Sequence, residues 1–464
     1  NIIIRGGTSL ERDNQPLFVV DGIIYDNSSN LGGDSGFDGA MRTSTTTGNR
    51  VMDINPEDIE NMSVLKGPAA SALYGSKAAA GVIIITTKKG SEGRVQVDFS
   101  SKYTCNWVNR LPEQQDVYKR GYYMTDGTLS DYTTQSWGAR YSASDIVYDN
   151  MEDFFQGSNV FDNTISISGG NKDGNFYLSA SRYDQTGIIP GTSYDKTTFR
   201  FNGEQKFGRL TVSANVAYTI SNTDKTLTSG GLYNSGGTGA LVSVYRWAKS
   251  DDMKHWLNAD GTKYRMFEGL QELADDVENP YWIINKDVMT DKTNRFTGGI
   301  NASYKVAEWF DINYRVGYDT YDYSDYTFLA PGSAVKETLQ NGQLSENDRK
   351  YTYISSNLML NFHKTFGDWN FNLLLGQSVE DQKSERQRRM GFDFIIDDFY
   401  SFDNIATANK QFQSSESRSR LMGLYGEFRV EYKNIAYLTV TGRNDWTSTL
   451  PVDNRSYFYP SVSG

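Results

Sequence analysis

The side chains that could do chemistry are few, and their spacing argues against catalysis. Gly33-Asp34-Ser35-Gly36 matches the tetrapeptide around the nucleophilic serine of one protease class, but that class places its histidine and aspartate before the serine. Here both histidines, His255 and His363, follow it, and a Gly/Asp/Ser turn is the simpler reading. Gly67 to Lys77 lacks the Gly-Lys-Ser/Thr ending of a phosphate loop, and neither histidine belongs to a His-Glu-x-x-His motif. Asp393, Asp397, Asp398 and Asp403 form an acidic loop without the alternating spacing and glycine of a calcium loop. Cys105 is the one cysteine, so no intrachain disulfide forms and little material remains for a metal site. These residues assign no catalytic group, no metal ligand and no cofactor.

Two other groups suit the capture of a solute. Tyr233, Tyr245, Trp247 and Trp256 lie in a long polar connection, together with Tyr264, Tyr281 and Trp282, where the pattern shows no core to demand them. Aromatic faces of this kind stack on sugar rings or peptide side chains, although loop packing and a partner interface would use them equally well. The second group is the Gly/Ser/Thr/Asn-rich stretch from Tyr25 to Arg50, whose backbone can approach a ligand closely. Tyr25, Asn27, Asp34 and Arg42 are its candidate contacts.

Composition bounds what could position these groups. No apolar run in the 464 residues approaches the roughly 18 needed for a membrane-spanning helix, so any passage through a membrane is made by strands. Lys+Arg 46 against Asp+Glu 57 gives a net charge of -11, which argues against a nucleic-acid partner.

The chain divides near residue 90. Residues 1–90 are rich in small residues and of mixed α/β pattern: Leu17 to Val20 reads as a strand closed by Asp21-Gly22, Asn55-Pro56 as a helix start, and Val82 to Thr87 as a buried strand. Residues 91–464 switch to period two. Leu210, Val212, Val216 and Tyr218 alternate with Thr211, Ser213, Asn215 and Thr219, and similar stripes recur at Phe310 to Tyr318 and Met422 to Tyr432. About eleven strands are expected, joined alternately by tight turns such as Lys206 to Arg209 and by long loops, the longest running from Asn222 to Lys292. Tight turns at one end and long loops at the other suit an outer-membrane barrel. A soluble β-sandwich also alternates, but its strands run about 5 to 6 residues whereas these stripes persist for about 10 to 13.

Several ordered blocks resemble SusC/RagA proteins. They are Ile4-Arg5-Gly6, Pro16 to Gly22, Ile54 to Glu60 leading into Val64-Leu65-Lys66-Gly67, and Ala72 to Ser76 continuing through Gly81 to Gly90. Gly442-Arg443-Asn444-Asp445-Trp446 and Arg455 to Ser461 resemble a mid-barrel block of the same family. Arg5, Gly6, Asp21, Gly22, Tyr74 and Gly75 are the plug-motif positions. The resemblance implies a transmembrane antiparallel β-barrel of about 22 strands when complete, with an α/β plug domain inside its lumen. Neither end of the sequence reads as a natural terminus, so the expectation is an incomplete plug and the first part of a barrel. Also implied are an outer-membrane location, a SusD-like surface lipoprotein, and coupling to TonB with its inner-membrane energising complex. The solute would be an oligosaccharide or a peptide. The competing expectation is a surface-exposed β-rich glycan-binding protein or glycoside hydrolase, the latter with paired carboxylates across a cleft.

Overall fold

A computed structural model describes residues 15–28, 49–65, 74–78, 80–228, 239–266, 278–333, 341–433 and 435–464. The first part is a four-stranded sheet of β1 (Leu17–Val20), β2 (Ile23–Tyr25), β3 (Ile59–Leu65) and β4 (Val82–Thr87), in the order β2-β1-β4-β3. β1 and β4 run parallel at its centre, and Phe18, Val19, Val82, Ile83 and Ile85 are all buried. Burial on both faces explains why these strands are continuous apolar runs without alternation. The β1–β2 turn is Asp21-Gly22 with φ of 49° and 84°, the left-handed geometry that a two-residue hairpin turn requires.

The helix expected after Asn55 is reduced to one 3-10 turn, Pro56–Asp58, capped by the Asn55 side chain accepting from Glu57 N–H. Asp58 is drawn to side chains of the large sheet, and β3 begins at the next residue.

The large sheet has twelve strands, all antiparallel: β5 (Gly93–Asn106), β8 (Ser158–Asn171), β9 (Gly174–Thr186), β10 (Ser193–Phe207), β11 (Leu210–Lys225), β12 (Val288–Ala307), β13 (Phe310–Leu329), β14 (Gln343–Phe366), β15 (Trp369–Phe392), β16 (Lys410–Tyr432), β17 (Ala436–Thr447) and β18 (Ser456–Ser463). Each pairs with its neighbour in sequence, save that a small hairpin, β6 (Tyr122–Tyr123) and β7 (Leu129–Ser130), intervenes between β5 and β8. One strand more than expected is present. β8 and β9 are parted by only Lys172-Asp173, so their stripes run together in the sequence.

Tight reversals also join β10–β11, β12–β13, β14–β15 and β16–β17 at one end, and longer connections lie at the other. Gly208 and Gly367 supply the positive φ that two of these turns need. No helix among the described residues is long and apolar enough to cross a membrane.

The register is the expected one. On β11, Tyr218 is exposed while Ala217, Thr219 and Ser221 are buried; on β12, Phe296, Ile300 and Tyr304 point out while Thr293 and Arg295 are buried. The buried polar face is the one covered by the small sheet, so the first unit lies against the lumenal side of the wall.

At the long-loop end three short helices, α1 (Asn150–Phe154), α2 (Ala240–Arg246) and α3 (Pro280–Lys286), share a core of Met151, Phe154, Val244, Trp247, Met253 and Ile283. The long connection therefore has a hydrophobic core of its own, which the absence of period-two patterning concealed.

Candidate functional site: plug against lumen wall

Two buried polar clusters join the small sheet to the wall. In the first, Arg295 of β12 makes a two-pronged contact with Asp319 of β13, its Nε donating to Oδ1 at 2.9 Å and its Nη2 to Oδ2 at 2.7 Å. The same guanidinium reaches Asp53 of the plug at 3.2 Å, donates to the Asp26 carbonyl at 3.0 Å and lies 3.3 Å from the centre of the Tyr25 ring. Asp26 accepts from the Tyr321 hydroxyl at 2.7 Å, and its N–H donates to Asp319 at 3.2 Å. Beside it, Arg50 donates to Thr293 Oγ1 at 2.6 Å and lies over the Tyr321 and Tyr323 rings.

In the second cluster, Arg200 of β10 approaches Asp58 at 3.3 Å and Asp21 at 3.5 Å, and the Tyr177 hydroxyl donates to Asp58 at 2.9 Å. Asp21 closes its own end of the plug sheet by accepting from the Thr87 N–H and hydroxyl at 2.9 and 2.7 Å. Asn202 donates to Thr87 Oγ1 at 2.7 Å and to the Lys88 carbonyl at 2.6 Å. Ion pairs with these hydrogen bonds keep buried charge satisfied while leaving the interface polar.

The two sequence blocks from opposite ends of the chain meet here. Gly75, with φ of 72°, is buried beside β17 and β18: a Cβ on it would lie 3.1 Å from an Asp445 carboxylate oxygen and 3.4 Å from the Tyr459 hydroxyl. Asp445 is held by Arg443 at 2.8 Å, both being almost fully buried, and Lys77 reaches Glu380 of β15 at 2.7 Å. Gly22 is crowded too, since a Cβ on it would overlap the Arg315 guanidinium, and beside it lies a cavity of about 380 Å³ lined among others by Tyr74, Lys89, Asn202, Asn215 and Arg315.

Comparison with known proteins fits this geometry. Residues 1–82 match the TonB-dependent Receptor Plug Domain. The chain is 24% identical over its whole length to TonB-dependent receptor SusC of Bacteroides thetaiotaomicron, covering 44% of that protein. It is SusC/RagA-like.

Similarity of the same order extends to TonB-dependent receptor P3 of Formosa agariphila, at 25% identity over 99% of the chain and 42% of the relative. The chain thus spans less than half the length of these curated relatives. The RagAB peptide transporter structure superposes with a TM-score of 0.75 at 18% identity, over 99% of this chain and 52% of the other, which shows the fold alone. The SusC/RagA-like chain is therefore a plug with consecutive strands of a barrel wall, and its place is the bacterial outer membrane. The relatives named are receptors, not enzymes.

The structure distributes the sequence-derived solute contacts unevenly. Tyr25 is buried in the plug–wall cluster with its hydroxyl donating to the Arg50 carbonyl, and Asn27 braces the plug by accepting from Val51 N–H at 2.7 Å and donating to Gln15 at 2.9 Å. Trp247 is fully buried in the loop core, so its faces are closed to a solute. Trp256 is half-buried, edge-on to Trp282, and Tyr245 is exposed. Asp34, Arg42, Tyr233, Arg5 and Gly6 lie outside the described residues, as does most of the stretch between Tyr25 and Arg50.

A further polar node ties the loops together. Burial pushes the Asp287 carboxyl up to about 7, with Glu278 adding to the rise and the Ala330 N–H and Ser333 hydroxyl opposing it at 2.9 and 3.0 Å. Ser333 accepts from Trp282 Nε1, and Lys263 bridges Glu278 and the Gly332 carbonyl.

The residues that the sequence reading missed are Asp53, Asp58, Arg200 and Arg295. The available signal is a full charge on the lumenal stripe of a strand, as at Arg200 of β10 and Arg295 of β12, opposite acids of the plug close to Ile54.

Proposed function

We propose that this protein takes part in energy-coupled import of a nutrient across the outer membrane, with a SusD-like surface lipoprotein outside and TonB with its inner-membrane complex inside. The plug is residues 1–90 and the wall residues 91–464. The observation that carries the reading is the polar plug–wall interface. An apolar seal would resist displacement in water, whereas ion pairs and hydrogen bonds can be exchanged for water as the plug moves. The cargo is an oligosaccharide or a peptide, met first by Tyr245, Trp256 and the Tyr25 to Arg50 stretch, and no catalytic group or cofactor takes part. Curated relatives bearing the name TonB-dependent receptor support the coupling, and likeness to SusC and RagAB supports the lipoprotein partner.

The test is uptake of labelled nutrient by intact cells with and without TonB. Uptake above the passive level is expected only with TonB present. Equal uptake in the two strains would reject the reading.

A further inference from the structure

Below the two ion-pair clusters the lumenal wall changes character. β10 and β12 both run toward tight turns; Asn202 lies one inward step beyond Arg200, and Gly299 two beyond Arg295. The cavity of about 380 Å³ beside Gly22 therefore sits between the clusters and the tight-turn end of the wall.

Its wall side is a band of amides. Asn175, Asn202, Asn215 and Asn301 come from the consecutive strands β9 to β12, with Glu204 and Ser213 beside them. Ala214 and Ile300, at the same level, belong to the outward register, and Ile300 is exposed there. In the clusters above, the charged groups are paired. Here Asn175, Asn215, Asn301, Ser213 and Glu204 have no side-chain hydrogen bond or ion pair among the described residues. Asn202 is almost fully buried and its Nδ2 donates to Thr87 Oγ1 and the Lys88 carbonyl, yet its Oδ1 is buried without a partner. A buried acceptor of this kind is rare, and an entering hydroxyl would satisfy it.

The plug side differs. Half-buried Ile84 and Tyr74 offer apolar and aromatic surface. The Arg315 guanidinium, with no ion pair or hydrogen bond among the described residues, lies over Gly22 within electrostatic reach of Tyr74. The four charged residues of the lining, Asp21, Glu204, Lys89 and Arg315, sum to zero and so favour neither an anion nor a cation.

Resting on the import reading above, we propose that this cavity is a transit site on the periplasmic side of the plug seal, and that it takes a short stretch of an uncharged, hydroxyl-rich oligosaccharide. Sugar hydroxyls donate and accept, as carboxamides do, and the C–H face of a ring packs on apolar or aromatic surface. An amide wall facing Ile84 and Tyr74 matches both sides of such a ring. A peptide's apolar side chains would meet amides, a hydroxyl and a carboxylate on the wall, where no apolar side chain faces inward. When the Asp53 and Asp58 contacts are exchanged for water, solute leaving the seal enters this chamber before it reaches the periplasm.

The test uses intact cells carrying the full transporter and its lipoprotein partner. They are offered labelled neutral gluco-, galacto-, manno- and fructo-oligosaccharides and, separately, a labelled peptide digest. TonB-dependent uptake of a neutral oligosaccharide is expected. Ser213→Trp should lower that uptake about ten-fold or more, as narrowing of a passage implies, while binding to cells lacking TonB stays as it was. Asn301→Cys, in a transporter freed of other cysteines, separates blockage from misassembly. Its benzylthio adduct should stop uptake, reductant should restore it, and the smaller methylthio adduct should leave it unchanged. Full uptake in Ser213→Trp or with the benzylthio adduct in place, equal loss with the two adducts, or a thiol that reacts with neither reagent would overturn the proposal. So would TonB-dependent uptake of the peptide digest alone, or of no probe. Uptake that is equal with and without TonB removes the import reading itself, whereas TonB-dependent uptake indifferent to these changes removes the transit site alone.

Discussion

Arg295→Ala is expected to loosen the plug in its barrel by about 3–5 kcal/mol, the range for removing one partner of a buried ion pair. The substitution leaves Asp53 and Asp319 facing each other across the vacated guanidinium, both almost fully buried, and removes the cation packed on the Tyr25 ring. Three elements lose a common partner at once, namely the plug turn at Asp53, the Asp26 carbonyl and β13. Hydrogen exchange read on β1 and β4 should accelerate roughly a hundred-fold or more, while exchange in β14 and β15 stays as it was. Unchanged protection in β1 and β4 would mean that the cluster is incidental to docking.

A charge on the lipid-facing stripe is the second large effect. Val216 and Asn215 are adjacent on β11 and differ in face: Val216 shares the outward side with exposed Tyr218, and Asn215 lines the cavity around Gly22. Val216→Arg should cost about 2–4 kcal/mol if it lies near the bilayer midplane, whereas Asn215→Arg puts the same charge in a wet lumen. Urea titration of the barrel folded into lipid vesicles reads the difference. Equal midpoints for the two variants would place the wall in the wrong register.

The wall was legible because strand period and burial share one cause. A face in hydrocarbon must be apolar and a face in the lumen is wet or meets a polar plug, so Leu210 to Ser221 states its orientation residue by residue. Hairpin ends were equally plain at Lys206 to Arg209, since a two-residue turn between long stripes leaves no alternative path. The plug's first and last strands were legible as apolar runs. Its Asn55-Pro56 turn was not, because a capping signal says where a helix can begin and cannot say that Asp58 will be claimed by Arg200.

The solute contacts were the least legible part. Trp247 reads as a loop aromatic in one dimension, yet the 62-residue connection from Thr226 to Asp287 is long enough to fold around it, and the residues that bury it, Met151 and Phe154 among them, come from a different connection. Long-range pairs such as Asp53 with Arg295 carry no local pattern at all. The meeting of Gly75 with Asp445, like that of Asp21 with Thr87, joins two stretches that the sequence marks.

The proposed import requires the plug docked on the lumenal wall to move for solute to pass. Asn55 of the plug donates to Thr164 of β8 at 3.3 Å inside the buried interface, so cysteines at these two positions in a Cys105→Ser background can tie plug to wall. Uptake of labelled nutrient is measured in cells carrying this pair, oxidised and then reduced, with disulfide formation followed on gels. The account predicts that uptake falls to the level of cells lacking TonB when the disulfide is formed and returns on reduction. Full uptake with the disulfide intact would contradict it.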